Sequence, residues 1–445
     1  MTEGSWGVTP VPERLRTLST VDQTMLWANL GVSLLVLVLA AALVPAMSLP
    51  KALLAILVGS LVGNLMLGVA GLIGADARVP AMVLMRAPLG RGGSYVASGL
   101  NIMQCLGWAT FEIIIIAAAA SALSDELFGF GGKTLWTLVT GVVALVLALM
   151  GPVGVVRRVI RKFAVWIVLA SLVYLTWWGI SHADLGALWD QPGEGGTSFF
   201  LGVDFVIAIT VSWIPLAADY TRFSVTRRAA FIGSGAGYFI GGFWMLALGA
   251  IIVLDRGLSE PTQIPAAVAA AGLASALALL AVTIDEADEA FANVYSTAVS
   301  LQNLVPRAPQ RVLVTGIAVL ATAGALTINL ANYQSFLLLL GSFFVPLFGV
   351  LLADWLLSGR RYEGRDFFAA PGLRVGPFIA WLAGFALYQW IGPVGPSWWT
   401  DLVERTNPPS TQIGASLPSF ALAFVLATGA IYLERLVRRP AAEPA

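Results

Sequence analysis

The chain has 445 residues, of which 58% are hydrophobic and only 11% charged, and its mean hydropathy is +0.84. Soluble domains carry roughly 25% charged residues, so the composition excludes a soluble protein and points to a polytopic helical membrane protein. Its 25 basic and 25 acidic residues balance, which speaks against a nucleic-acid partner, and the single cysteine, Cys105, excludes an intrachain disulfide.

Apolar segments fall at about 24–46, 50–72, 95–124, 133–152, 160–182, 200–218, 231–254, 271–302, 311–327, 333–357, 375–391 and 414–436. They predict an all-α membrane protein with twelve transmembrane helices, separated by turns rich in Gly, Pro, Asp and Arg. The polar stretch up to Gln23 carries no cleavable signal pattern, so the first apolar run is expected to remain as a span. The one histidine, His182, ends segment 5, where an interfacial structural role is expected.

Charge tests this topology. With a cytoplasmic N-terminus, the inside holds Arg14 and Arg16, then Arg78, Arg86 and Arg91, then Arg157, Arg158, Arg161 and Lys162, then Arg222, Arg227 and Arg228. It also holds Arg307 and Arg311, Arg360, Arg361, Arg365 and Arg374, and Arg435, Arg438 and Arg439. The outside keeps four of the 25, namely Lys51, Lys133, Arg256 and Arg405. Such a split is a strong positive-inside signal.

Segment 1 contains Trp27-Ala-Asn29-Leu-Gly31-Val-Ser33, whose Asn, Gly and Ser favour a helix break, with Ser33 a candidate substrate contact. In segment 3, Gln104, Trp108 and Glu112 stand at i, i+4 and i+8, on one helical face and about 6 Å apart along the axis. An aromatic ring between an amide and a carboxylate suits a flat heterocycle, which stacks on the ring while the polar groups bond its edge. Segment 6 offers Thr210 and Trp213 as neighbours on one face, then Pro215, which removes a backbone donor. Interrupted helices at corresponding places in two five-helix repeats point to a central binding site in a secondary transporter. Asp219 and Arg222, at the end of segment 6, read as a gate or interface pair.

Segment 8 carries Asp285, Glu286, Asp288 and Glu289 halfway along a run that should cross lipid. A charge at the bilayer centre costs at least ~2.5 kcal/mol, so such acids usually face a cavity, a partner or an ion. The apolar flanks are each too short to span alone, which argues against an extramembrane loop. Asp285 and Glu289 are i, i+4 with Asn293 at i+8; Asp288 sits beside that stripe. Hard cations take oxygen ligands, and a carboxylate held partly out of water can instead carry a proton. Asp285, Asp288 and Glu289 are therefore the ion-coupling candidates, and Asn293 is a substrate candidate. Thr283, Ser296 and Thr297 are candidate minor oxygen ligands. Glu286 points about 100° away from Asp285 on an unbroken helix, which predicts a salt-bridged or protonated structural role. Segment 10 carries Asn329, Asn332, Tyr333 and Gln334 at its outer end, with Ser342, Pro346 and Gly349 inside it, read as helix packing by small residues rather than as a gate. There is no Walker loop, GxSxG, HExxH or zinc spacing, which speaks against an enzyme, a metal site or a bound cofactor. Without an ATP motif, uphill transport draws on an ion gradient or an unseen partner.

Several pieces resemble the nucleobase–cation symporter-1 family, most of all its cytosine and hydroxymethylpyrimidine permease branch. They are Gly107-Trp108, Ala218-Asp219-Tyr220-Thr221-Arg222-Phe223, Asn293-Val-Tyr295-Ser296, and Pro346 through Asp354-Trp355 followed by Gly359-Arg360-Arg361-Tyr362-Glu363. The resemblance implies a LeuT-type 5+5 inverted repeat plus two C-terminal helices. Residues 1–23 would then be a cytoplasmic tail, 24–182 and 200–357 the two five-helix repeats, 375–436 helices 11 and 12, and 437–445 a second cytoplasmic tail. It implies a substrate held between segments 1, 3, 6, 8 and 10, with Trp108 as the stacking residue and Gln104 or Glu112 as its polar partner. A segment-6 aromatic stacks on the other face in the family. At the matching depth this chain has Thr210, with Trp213 one turn on. In sodium-coupled members, hydroxyl residues of segment 8 bind the ion. Asp288 and Glu289 stand there here, which leaves proton and sodium both open.

The leading expectation is a symporter in the cytoplasmic membrane importing a nucleobase or a related pyrimidine such as cytosine or hydroxymethylpyrimidine. A transporter of another small polar solute, such as an amino acid, is the alternative; an intramembrane enzyme or sensor is a third reading from a different class. A reporter fused after Ala445 is expected to report a cytoplasmic C-terminus, and a clear periplasmic readout would overturn the twelve-helix topology.

Overall fold

The structure, a computed structural model, describes residues 7–155, 165–258, 263–328, 333–409 and 411–438, and no strand occurs among them. Arg157, Arg158, Arg161, Lys162, Asn329 and Asn332 lie outside the described residues, as do the side chains of Asp288, Tyr333 and Gln334. Among the described residues, eight helices are long and apolar enough to cross a membrane, and a bent pair makes a ninth. Segments 5 and 11 form the shorter apolar helices Trp166–Ser181 and Val375–Ile391. Segment 8 is divided into Leu273–Asp285 and Ala287–Leu304.

Three helices are interrupted, each for a local reason. In segment 1, Thr20–Gly31 gives way to Leu34–Leu39, and the two halves meet at 49°. Ser33 is extended at the break, and its Oγ accepts from the Leu35 and Val36 N–H groups, capping the second half. In segment 6, Phe199–Val211 and Ile214–Thr221 flank Ser212 and Trp213. Pro215 offers no N–H, and the Leu216 N–H turns to the Trp213 carbonyl at 3.0 Å. The Ser212 carbonyl thus loses its helical partner, and Gln104 Nε2 donates to it instead at 2.7 Å. In segment 8 the break is one residue, Glu286.

Lipid tails give helices no hydrophobic reason to associate, so close packing matters more than in water. Segment 7, Arg227–Arg256, presses against segment 1. A Cβ on Gly241 would lie 2.3 Å from the Ala28 carbonyl oxygen, so only glycine allows this approach.

Polar anchors tie the ends. At the basic end, buried Asp76 pairs with Arg227 and accepts from Trp355 Nε1 at 3.2 Å and the Tyr362 N–H at 3.1 Å. Arg374 bridges Asp354 at 2.5 Å and Glu434 at 2.8 Å, joining segments 10 and 12. The Tyr362 hydroxyl donates to Asp354 at 2.8 Å, and burial pushes it well above its ordinary pKa. At the opposite end, Asp204 accepts the Ala415 and Ser416 N–H groups at 3.1 and 2.8 Å, where the last helix begins. Asp219 and Arg222 do not form the expected pair. Asp219 accepts the Ala81 N–H at 2.9 Å, at the start of the short helix Ala81–Leu84, and Arg222 donates to the Tyr295 hydroxyl at 3.1 Å.

Candidate functional site

A narrow cavity opens beside the three breaks. Its polar points are Ser33, Glu112, Ser212, Glu289 and Asn293, and its aromatic walls are Trp108, Trp213 and Tyr238. Leu35, Val36, Ile209, Leu216 and Leu337 complete an otherwise apolar lining.

The two indoles are held differently. Trp213 is fixed: its Nε1 donates to the Tyr238 hydroxyl at 2.9 Å, and its ring meets Trp27 edge-on at 5.9 Å. Trp108 is half-buried and packs edge-on against Phe336 at 5.4 Å and Phe111 at 6.0 Å. Gly107 permits this, since a Cβ there would lie 2.5 Å from the Phe336 ring. Trp108 Nε1 and Glu112 Oε2 are both buried without a hydrogen-bond partner among the described residues.

Glu112, Glu286 and Glu289 are all buried, and one carboxylate oxygen of each lies within 4.8 Å of the others. Two like charges at that separation repel by about 3–4 kcal/mol at an effective dielectric near 20. Among the described residues no Lys or Arg lines the cavity. The three acids therefore demand positive charge from elsewhere, as protons or as a cation, and their oxygens are close enough to ligate one ion together.

Of the segment 8 acids, Glu286 belongs to this centre, whereas Asp285, about 100° from it, does not: Glu286 and Glu289 are i, i+3 neighbours on one face. Its carboxylate accepts the Ser33 hydroxyl at 2.7 Å, the Leu34 N–H at 2.6 Å and the Leu35 N–H at 3.4 Å. An anion at a helix N-terminus satisfies orphaned N–H groups and opposes the helix dipole. Asp285 instead accepts from Asn29 Nδ2 at 2.8 Å, tying segment 8 to segment 1, and is not among the cavity-lining residues.

Of the other expected site residues, Ser33, Trp108, Glu112, Trp213, Asn293 and Glu289 line the cavity together. Gln104 and Thr210 do not. Gln104 is consumed by the Ser212 carbonyl, and Thr210 packs on segment 2, where a Gly63 Cβ would lie 2.8 Å from its own Cβ. Thr283 and Thr297 bond carbonyls of their own helix, as does Asn293 Nδ2 with the Glu289 carbonyl at 3.1 Å. Sequence reasoning missed Tyr238, a lone tyrosine in a glycine-rich stretch, and Glu286 as a member of this centre.

A family model described as a permease for cytosine/purines, uracil, thiamine and allantoin matches residues 10–395. The chain is similar to the cytosine permease of Escherichia coli, 24% identical over 357 residues that span 76% of this chain and 78% of that one. It is also similar to the hydantoin permease of Microbacterium maritypicum, 25% identical over 324 residues that span 65% and 63% of the two chains. Among solved structures it is similar to Mhp1, a nucleobase-cation-symport-1 family transporter in a closed conformation with bromovinylhydantoin bound. That likeness has a TM-score of 0.78 at 19% identity and covers 97% of this chain and 96% of that one. It shows a shared, LeuT-type fold.

Replacing Glu286 by Ala strips the second half of segment 1 of its partner. Leaving buried donors unsatisfied costs about 1–3 kcal/mol. Glu286→Ala is expected to lower the thermal midpoint of the detergent-purified protein clearly; an unchanged midpoint would show that this contact carries no stability.

Proposed function

Because the chain belongs to the family of permeases for cytosine/purines, uracil, thiamine and allantoin, we propose that it is a cation symporter that imports a nucleobase or related pyrimidine, such as cytosine or hydroxymethylpyrimidine. The membrane is the cell membrane, with both termini on the cytoplasmic side. The observation that carries this reading is the cavity beside the helix breaks, with two indoles on its walls and, on lining residues one helical turn apart, the buried Trp108 Nε1 and Glu112 Oε2 without hydrogen-bond partners among the described residues. Trp108 stacks the base, Glu112 bonds its edge, and Ser33, Trp213 and Asn293 complete the contacts. The aromatic and acidic lining favours a heterocycle over an amino acid.

Counterflow of labelled base in proteoliposomes tests transport directly. Base–aromatic stacking is worth about 1–3 kcal/mol, so Trp108→Ala is expected to weaken binding roughly tenfold or more in a protein that still inserts and folds. Unchanged affinity would move the base away from segment 3.

The coupling ion in this reading is a proton carried by Glu289, with Asp285 and Asp288 as the other ion-coupling candidates of segment 8. The clustering of three buried carboxylates supports it; sodium held by the same oxygens is the second reading. Glu289→Gln mimics the protonated form. It is expected to bind and exchange base across the membrane but no longer to accumulate it along a pH gradient, with Asp288→Asn as the companion variant. Uptake by the wild type that requires sodium and ignores pH would overturn the proton assignment.

A further inference from the structure

We infer that the site selects a basic heterocycle carrying an amidinium edge, a protonated ring nitrogen beside an exocyclic amino group, and that Glu112 is the residue that pairs with it. The inference rests on the proposed transport of a base through this cavity and adds the charge class of the substrate.

The three carboxylates have different work. Glu286 is committed to segment 1 through Ser33, Leu34 and Leu35. Glu289 lies at the start of the second half of segment 8, and its carbonyl accepts from Asn293. Glu112 is 2% exposed, lines the cavity and, among the described residues, keeps Oε2 without a partner. A carboxylate in such a place calls for N–H donors and positive charge together. An amidinium supplies both: an N–H meets Glu112 Oε2 while its charge answers the carboxylate cluster, as in charge-assisted guanidinium–carboxylate hydrogen bonds. Its flat cationic ring also suits the indole and phenol faces of Trp108, Trp213 and Tyr238, where a cation gains from the ring quadrupole. A lactam base fits less well. Uracil presents its N3–H between two carbonyl oxygens, and an oxygen set against the Glu112 carboxylate leaves both acceptors unpaired. Sites built around a buried polar group discriminate strongly against a ligand that cannot satisfy it.

The test measures Kd for the purified protein in nanodiscs at one fixed pH, with uracil and a series of 4-aminopyrimidines whose ring substituents grade their basicity. The expected result is a Kd that falls tenfold or more from the least to the most basic member, with uracil at least tenfold weaker than the best of them. Glu112→Gln is expected to flatten that dependence while its ligand-free melting stays near the wild type; should it fail to fold, the wild-type series decides alone. A flat series, or uracil binding as tightly as the aminopyrimidines, overturns the inference and leaves the transport of a base standing. Stabilisation by sodium alone that Glu112→Gln removes also overturns it, because the acids then hold a metal ion. Absence of any pyrimidine binding or counterflow overturns the transport reading and this inference with it.

Discussion

A backbone amide or carbonyl in the hydrocarbon region must find a partner inside the protein. The breaks in segments 1 and 6 remove partners, and each is repaired from another segment. Glu286 of segment 8 accepts the amides freed in segment 1. Gln104 of segment 3 fills the carbonyl freed in segment 6. Asn29 of segment 1 meets Asp285 at the edge of the break in segment 8. Side chains of segments 3 and 8 thus fill the backbone groups freed in segments 6 and 1, and the cavity lies beside these breaks.

Buried acids elsewhere in the chain follow the same rule. Asp204, Asp219 and Glu286 each settle on backbone N–H groups at the start of a helix, where the dipole favours negative charge. Asp76 and Asp354 meet arginines instead. Glu112 meets neither a helix N-terminus nor an arginine among the described residues; it lies one turn from Trp108 and beside Glu286 and Glu289, on a helix packed against Phe336.

Hydropathy and charge made the helical segments legible, because the bilayer imposes length and polarity on every span. The breaks in segments 1 and 6 were legible from Gly31, Ser33 and Pro215, which free or lack backbone bonds. The break at Glu286 was not, because Ile284-Asp-Glu-Ala-Asp-Glu contains no helix breaker, and spacing alone does not say whether the Asp285 or the Glu286 face meets the cavity. Trp108 and Glu112 line the cavity from one face of segment 3, whereas Gln104 lies farther along it, where it meets the opened backbone of segment 6. Thr210 and Trp213 are neighbours by spacing, yet the break between them lets Trp213 face the cavity while Thr210 packs on segment 2. Which of several polar residues a broken backbone claims for itself is a three-dimensional fact that spacing does not encode.

The acidic break in segment 8 also bears on how the chain enters the bilayer. An Asp near the middle of a helix opposes insertion by about 2.5–3.5 kcal/mol, and this segment brings two of them beside two glutamates. Alone it is a poor candidate for partitioning into lipid. The groups that receive its acids, Asn29, Ser33 and the amides of Leu34 and Leu35, are synthesised some 250 residues earlier. By the time segment 8 leaves the ribosome, its receptors already exist in the membrane, so the order of the segments in the gene matches the order in which they are needed during biogenesis.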